Sequence, residues 1–234
     1  MVSRNAASVV SATALWGLAY IVLFAAYFGL LFYLDEVAQL SQSELNKVAP
    51  FAVGALVLGI ALISTAYLGI FHARAAEMLD GRPVTFAGCF NPRGACAPAC
   101  AYLISKSLAL GPFFAFGIYS GVKQVEPSLT WAIAAMVVTL WTLIVAYLTM
   151  FATAAATSRG VAGGFTASLA LTTTRAGETW KTIGVVFLTR LVENVILVLA
   201  YLLTAPFLSF AMVAKFRQLT AQNLPGSGTG NRLY

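Results

Sequence analysis

The sequence predicts an all-α protein, a polytopic bundle of transmembrane helices, and three observations support this fold class. Hydrophobic residues make up 60% of the 234 residues and charged residues only 9%, against about 25% charged residues in a soluble domain. The mean hydropathy is +0.85. The apolar residues also come in runs of about 20 or more, the length that a helix needs to cross the hydrocarbon of a bilayer. Five such runs predict five spans.

The first two spans are delimited by polar residues and by glycine and proline. The first lies within residues 12–34 and ends at an acidic pair, after which a polar loop is expected up to residue 49. The second begins at Pro50, because proline is tolerated in the first turn of a helix. It continues as a helix through several charged residues to a stop signal at Gly81.

The next two spans are separated from the second by a segment rich in proline and glycine. Residues 82–98 carry Phe86 and Phe90 one helical turn apart, which indicates a short interfacial helix with irregular flanks. The third span is expected within residues 99–122. The fourth is expected over residues 128–157, a run of about 30 residues without a charge.

The last apolar region allows two topologies. Residues 158–181 are rich in glycine and threonine and then charged, which favours a second interfacial helix on the cytoplasmic side. The fifth span is expected within residues 183–214. A tight hairpin over residues 180–214 would instead give six spans, although about 35 residues barely suffice for two crossings and a turn. Five spans are the prediction, and six remain the alternative.

Residues 1–222 are expected to form a single transmembrane domain, and residues 223–234 a flexible tail. The N-terminus is expected to be cytoplasmic, because lysine and arginine accumulate in cytoplasmic loops. With five spans the distribution of lysine and arginine favours this orientation mildly. With a hairpin over residues 180–214 the excess of cations on the cytoplasmic side would be strong. With five spans the cytoplasmic cations are Arg4, Arg74, Arg82, Arg93, Arg159, Arg175 and Lys181, and the opposite ones are Lys47, Lys123, Lys215, Arg217 and Arg232.

Three ionisable residues lie nearest the predicted hydrocarbon. Lys106, Arg190 and Glu193 are candidates for transport or for a charge cluster, because an ionisable residue inside a membrane often marks an ion or proton path. Arg190 and Glu193 are three residues apart and can pair on one helix face. The simpler interpretation is that both cations, at similar depth, extend to the cytoplasmic interface and that Glu193 neutralises one of them.

A metal site is a further hypothesis. His72, Cys89, Cys96 and Cys100 include the thiolate and imidazole ligands that zinc or iron–sulfur clusters take. Their spacing matches no tight metal-binding motif, and Cys96 and Cys100 share a helix face only if Pro98 permits a helix. Isolated apolar cysteines explain the pattern as well. We therefore predict no cofactor, and we expect contacts with lipid.

Small residues four apart mark candidate helix-packing faces. Ala55 and Gly59 form such a pair in the second span, and Gly117 and Gly121 form a GxxxG pair in the third. Packing within the chain and packing in a homo- or hetero-oligomer both remain open. The cations are scattered singly, so nucleic acid is not an expected partner. No catalytic sequence motif occurs, so an enzyme is not predicted.

The order of these features over residues 50–222 resembles prokaryotic polytopic membrane-protein families of unknown function. The segments that carry the resemblance are HARAAEMLDGRP, a Phe-bearing short helix, a Gly/Thr-rich stretch before TW, and a final AKFRQLTAQ. The resemblance implies two spans after the second interfacial helix and implies no activity. We expect a non-enzymatic accessory or structural subunit of a membrane complex. The alternatives are a transporter component for small solutes or ions and a membrane-embedded redox or metal-binding subunit.

Overall fold

A computed structural model describes residues 2–37, 41–122, 128–196 and 198–222, and these residues contain no strand. The all-α prediction is therefore confirmed for the described part of the chain. A one-turn π-helix, Tyr33–Val37, extends the first helix, and a short 3₁₀ helix, Ala87–Phe90, lies between the second and third. The α-helices are α1 Val2–Phe32, α2 Gln42–Leu79, α3 Cys96–Val122, α4 Leu129–Leu148, α5 Ala152–Thr174, α6 Ala176–Ile196 and α7 Val198–Ala221.

Four of the described helices are long and apolar enough to cross a membrane. The segments are Ala6–Phe32, Phe51–Leu79, Cys96–Ser120 and Leu129–Leu148, and they fall on the first four predicted spans. The polytopic membrane character is thus supported. The fifth predicted span and the two cytoplasmic interfacial helices are not confirmed, and the predicted tail lies outside the described residues.

The start of α2 differs from the prediction. α2 begins at Gln42, eight residues before Pro50, so much of the expected polar loop is helical. The Ser41 hydroxyl accepts a hydrogen bond from the Glu44 N–H at 3.4 Å, and the Glu44 carboxylate accepts one from the Ser41 N–H at 2.9 Å. These reciprocal bonds form a capping box, which satisfies two backbone donors that a helix start leaves free. The Ser-x-x-Glu pattern was readable in the sequence.

The predicted fourth span is broken into two helices. α4 ends at Leu148, nine residues before the expected end at Thr157. The buried Ser168 hydroxyl accepts a hydrogen bond from the Phe151 N–H at 3.0 Å and donates one to the Leu148 carbonyl at 2.8 Å. Ser168 thereby satisfies two backbone groups that the break frees. Neither proline nor glycine marks the break, so sequence patterns could not locate it.

α5 is itself a tight helical hairpin. Gly160 has φ 68° and ψ −179°, a conformation that in effect only glycine adopts, and it separates two helical arms. A Cβ on Gly164 would lie 2.7 Å from the Ala152 carbonyl oxygen and 3.1 Å from the Ala156 Cβ. In a straight helix residues 152 and 164 would be about 18 Å apart. The expected interfacial helix over residues 158–181 is therefore the second arm of this hairpin followed by the start of α6.

α6 and α7 form a second hairpin. The Lys215 Nζ lies 2.9 Å from the Glu178 Oε2, although the two residues are 37 positions apart. One continuous helix would separate them by about 55 Å. The chain therefore turns back between the two helices, which is the alternative that the sequence left open for residues 180–214.

The two ends of the bundle are packed differently. At the end that holds Asp80, Glu178 and Arg217, which we call the packed end, two buried clusters join α1, α2, α5 and α7. The opposite end, which we call the open end, consists of residues 21–32, 42–63, 110–122 and 129–141. Among the open-end residues whose burial is described, Ala52 is the only buried one. The core of the described chain therefore lies at the packed end.

Candidate functional site

The first predicted ionisable residue, Lys106, lies on the surface. Its Nζ is 5.6 Å from the centre of the Tyr102 ring, one turn nearer the packed end. The Thr142 hydroxyl donates a hydrogen bond to the Ala109 carbonyl at 2.8 Å, which places Lys106 close to the last turn of α4. This is the geometry of a long cation that extends towards the membrane interface while its stem covers apolar surface.

Arg190 and Glu193 lie three residues apart on α6, and their side chains lie outside the described part of the chain. The rings of Trp180 and Tyr147 are 5.2 Å apart, so the beginning of α6 lies level with the end of α4. Arg190 is ten residues further along, about 15 Å at 1.5 Å per residue. The similar depth of Lys106 and Arg190 in a membrane stays a prediction.

The packed end holds an ion-pair network that the sequence did not predict. Arg217 pairs with Asp80 at 2.7 Å, and Arg82 pairs with the other oxygen of Asp80 at 2.9 Å. Arg217 also donates a hydrogen bond to the Ala76 carbonyl at 3.3 Å. The hydrogen bonds from Arg217 and Arg82 hold the pKa of Asp80 below its usual value. These contacts join the end of α7 to the end of α2.

A second part of the network closes the α6–α7 hairpin. Glu178 pairs with Lys181 and with Lys215, each at 2.9 Å. The hydrogen bonds from these two lysines lower the pKa of Glu178 to about 2. We call the two parts together the clamp, which consists of Asp80, Arg82, Glu178, Lys181, Lys215 and Arg217. Its partners are up to 137 positions apart, so no sequence spacing could have revealed the clamp.

Arg74 fixes the connection between α2 and α3. It is buried, it pairs with Glu77 at 2.7 Å, and it donates a hydrogen bond to the Arg93 carbonyl. Trp16 of α1 stacks on Phe90 of the same connection, with ring centres 5.9 Å apart. The segment predicted to hold a short interfacial helix is therefore in contact with both α1 and α2.

The metal candidates do not form one site. His72 is buried, and its Nδ1 lies 2.8 Å from the Leu68 carbonyl of its own helix. Cys89 is buried, and burial raises the pKa of its thiol. Cys96 and Cys100 are exposed and within hydrogen-bonding reach of each other, because α3 begins at Cys96. The described residues contain no group of three or more such side chains that could hold a metal ion.

The predicted packing faces behave differently from each other. A Cβ on Gly59 would lie 2.9 Å from the Leu23 Cδ1, so Gly59 lies against α1, while Ala55 is exposed. Gly117 has no neighbour within 4 Å of such a Cβ, so it packs closely against none of the described helices. Gly121 belongs to the last turn of α3, and its burial is outside the described residues.

A very close helix crossing involves Gly69, a glycine that no sequence motif marks. A Cβ on Gly69 would lie 2.6 Å from the Ala99 Cβ and 2.9 Å from the Ala99 Cα, so α2 and α3 pack almost backbone to backbone. The only sequence signal was a glycine inside a helical pattern, and many glycines share it. Which of them packs depends on where the two helices cross.

No protein-family model matches this chain, and no curated protein or solved structure is significantly similar to it. The resemblance to prokaryotic polytopic families therefore remains one of pattern. Polar and charged side chains at the packed end hold helices together, while apolar helices extend away from it.

Proposed function

We propose that the chain is a multi-pass integral membrane protein that acts as a non-enzymatic accessory or structural subunit of a membrane assembly. The observation that supports this proposal is how little the four candidate spans are buried. Only 11 to 22% of the residues in the most apolar windows of the first three are buried, and α4 buries none. Helices in a membrane associate by packing and hydrogen bonds rather than by the hydrophobic effect. α4 contacts α3 along one side, and the rest of its surface is free for partner helices.

The proposal includes a six-span topology with both ends of the domain in the cytoplasm. The hairpin arms run about 27 Å from Glu178 to Ile196 and about 26 Å from Val198 to Lys215 at 1.5 Å per residue, close to the hydrocarbon thickness. The clamp brings Lys215 and Arg217 to the end that holds Asp80. The packed end then carries nine of the 14 lysines and arginines, and the positive-inside rule makes it cytoplasmic.

Labelling of cysteines with a membrane-impermeant maleimide tests this topology. Cys96 and Cys100 are exposed at the packed end, so intact cells should leave them unlabelled and permeabilised cells should allow labelling. In a chain whose three cysteines are changed to serine, Ser128→Cys at the start of α4 should be labelled in intact cells. Labelling of Cys96 in intact cells would mean that the packed end faces the outside, the reverse of the proposed orientation.

Site-specific photo-crosslinking tests the subunit role. A photoreactive residue at Leu143 of α4, whose side chain is 61% exposed, should give one adduct with a protein of defined mass in native membranes. The matched control is Leu188 of α6, at 63% exposure, where we expect lipid adducts to dominate. Lipid adducts alone at both positions would contradict the subunit proposal.

A second function, a transporter component, is favoured by the position of Arg190 and Glu193. Arg190 lies twelve residues after Glu178 on α6, about 18 Å along the helix, which is near the middle of a hydrocarbon layer of about 30 Å. Ionisable residues at this depth commonly serve ion or proton transfer. In proteoliposomes that show a flux, Glu193→Gln should abolish it, while Glu44→Gln at the open end should not. A flux that survives Glu193→Gln would assign the pair a structural role.

A further inference from the structure

A cavity of about 270 Å³ lies between α3 and α4 at the open end. Phe113, Phe116 and Gly117 of α3 line it on one side, and Trp131 and Thr139 of α4 line it on the other. Its lining includes no charged residue. Phe113 is 52% exposed and Gly117 is exposed, so the cavity is a groove that opens to the surroundings of the bundle.

Hydrogen bonds between the two helices limit the groove along its length. Towards the packed end, the Trp141 indole donates to the Leu108 carbonyl at 2.9 Å, next to the bond between Thr142 and Ala109. The two helices are therefore in contact there. Towards the end of α3, the Trp131 indole donates to the Ser120 hydroxyl at 3.1 Å.

We propose that this groove binds one acyl chain of a phospholipid, with the headgroup at the open-end interface beside Trp131 and Ser120. The groove offers little hydrogen bonding to a polar solute, because the Thr139 hydroxyl donates to the Ala135 carbonyl of its own helix at 2.8 Å. Trp131 lies in the first turn of α4, and tryptophan is enriched where lipid headgroups meet the hydrocarbon. An apolar groove with one polar end suits an amphiphile.

The shape of the groove favours a lipid chain over a partner helix. A helix with its side chains is about 10–12 Å across, whereas this groove has a volume of only about 270 Å³ and is lined by Phe113 and Phe116 as well as Gly117. Helix pairing at a GxxxG motif needs the partner backbone to approach the glycines closely. A flexible chain one methylene wide fits a groove of this volume better than a helix does. The site rests on the proposed membrane residence and uses the side of α4 that faces α3, whereas the subunit role uses the rest of α4.

Two glycines of α3 provide a matched test. Neither Gly117 nor Gly111 has a neighbour within 4 Å of an added Cβ, and only Gly117 lines the groove. The full chain is purified in mild detergent with added phosphatidylcholine and weighed by native mass spectrometry. Wild type and Gly111→Leu should retain one phospholipid per chain. In Gly117→Leu the fraction of chains with bound phospholipid should be at least about tenfold lower.

Three outcomes would overturn the proposal. The first is equal lipid retention in the two variants, and the second is the absence of retained lipid in the wild type. The third is a dimer mass that disappears only with Gly117→Leu, because a second copy of the chain would then be the occupant. A second measurement leaves Gly111 and Gly117 unchanged. In a chain whose other three tryptophans are phenylalanine, phosphatidylcholine with brominated chains should quench Trp131 at a lower mole fraction than it quenches Trp180 in the matched chain. Equal quenching would contradict a specific site.

Discussion

In soluble proteins the more apolar helix is usually the more buried one. α4 and α5, which follow each other directly in the chain, show the opposite. α4, with a hydropathy of 2.1 over its most apolar window, buries none of its 20 residues. α5 is not among the candidate spans and buries ten of its 23 residues. Apolar surface gains nothing by leaving hydrocarbon, so α4 has no reason to be buried. Small residues and buried hydroxyls decide which helices pack, and they are concentrated at the packed end.

The largest expected effect comes from a methyl group at the crossing of α2 and α3. Gly69→Ala should destabilise the protein by about 3 kcal/mol, because its Cβ would meet the backbone of Ala99, which cannot move aside as a side chain can. The control is Gly54→Ala on the open part of the same helix, where no atom lies within 4 Å. Gly54→Ala should be neutral or stabilising by up to about 1 kcal/mol. Unfolding in mixed micelles, followed by circular dichroism, measures the free energy of unfolding of both variants. Equal changes in the two variants would remove the contrast between the two ends of the bundle.

The next effect concerns the break between α4 and α5. Ser168→Ala leaves the Phe151 N–H and the Leu148 carbonyl without their partner, at a cost of about 2 kcal/mol. Thr166→Ala is the control, because the exposed Thr166 donates only to the Ala162 carbonyl of its own helix. The same unfolding measurement should show almost no change for Thr166→Ala. A Ser168→Ala protein as stable as wild type would mean that the break does not need this side chain.

A smaller effect is expected from a contact between α3 and α4. Thr142→Val removes the hydrogen bond to the Ala109 carbonyl, and bonds of this kind between membrane helices contribute about 0.6 kcal/mol on average. Thr139→Val is the control, since Thr139 bonds only within α4. If Thr142→Val lost as much stability as Ser168→Ala, α3 and α4 would depend on polar contacts as strongly as the packed end does.

The smallest effect is the pH dependence of the clamp. The pKa of Glu178 falls to about 2 in the folded chain, against an ordinary value of 4.5. A lowered pKa stabilises the folded state fully above pH 4.5, and this stabilisation disappears as the pH falls towards 2. Unfolding measured from pH 6 to pH 2 should show this loss, and Glu178→Gln should reduce it. The effect is modest because the pairs are partly exposed. An unchanged profile in the variant would assign the acid sensitivity to other groups.

Sequence patterns predicted the helical class and the position of four spans, because hydropathy and length act within one segment. They also contained the capping box at Ser41, which the loop prediction overlooked. The candidate sites were harder to predict. His72 and the three cysteines lie in one stretch of the sequence, and they do not assemble into one metal site. Gly59 lies against Leu23, whereas Gly117 lies in open space, and the two motifs look alike in the sequence.

The sequence by itself determined that this chain is helical and apolar enough to span a membrane several times, since each span is a property of about 20 consecutive residues. Tertiary structure alone decided where the core lies and how the last apolar region folds. The bonds of Ser168, the turn at Gly160 and the pairing of Glu178 with Lys215 join residues far apart in the chain. Such contacts depend on how helices meet in space, and no local pattern encodes that.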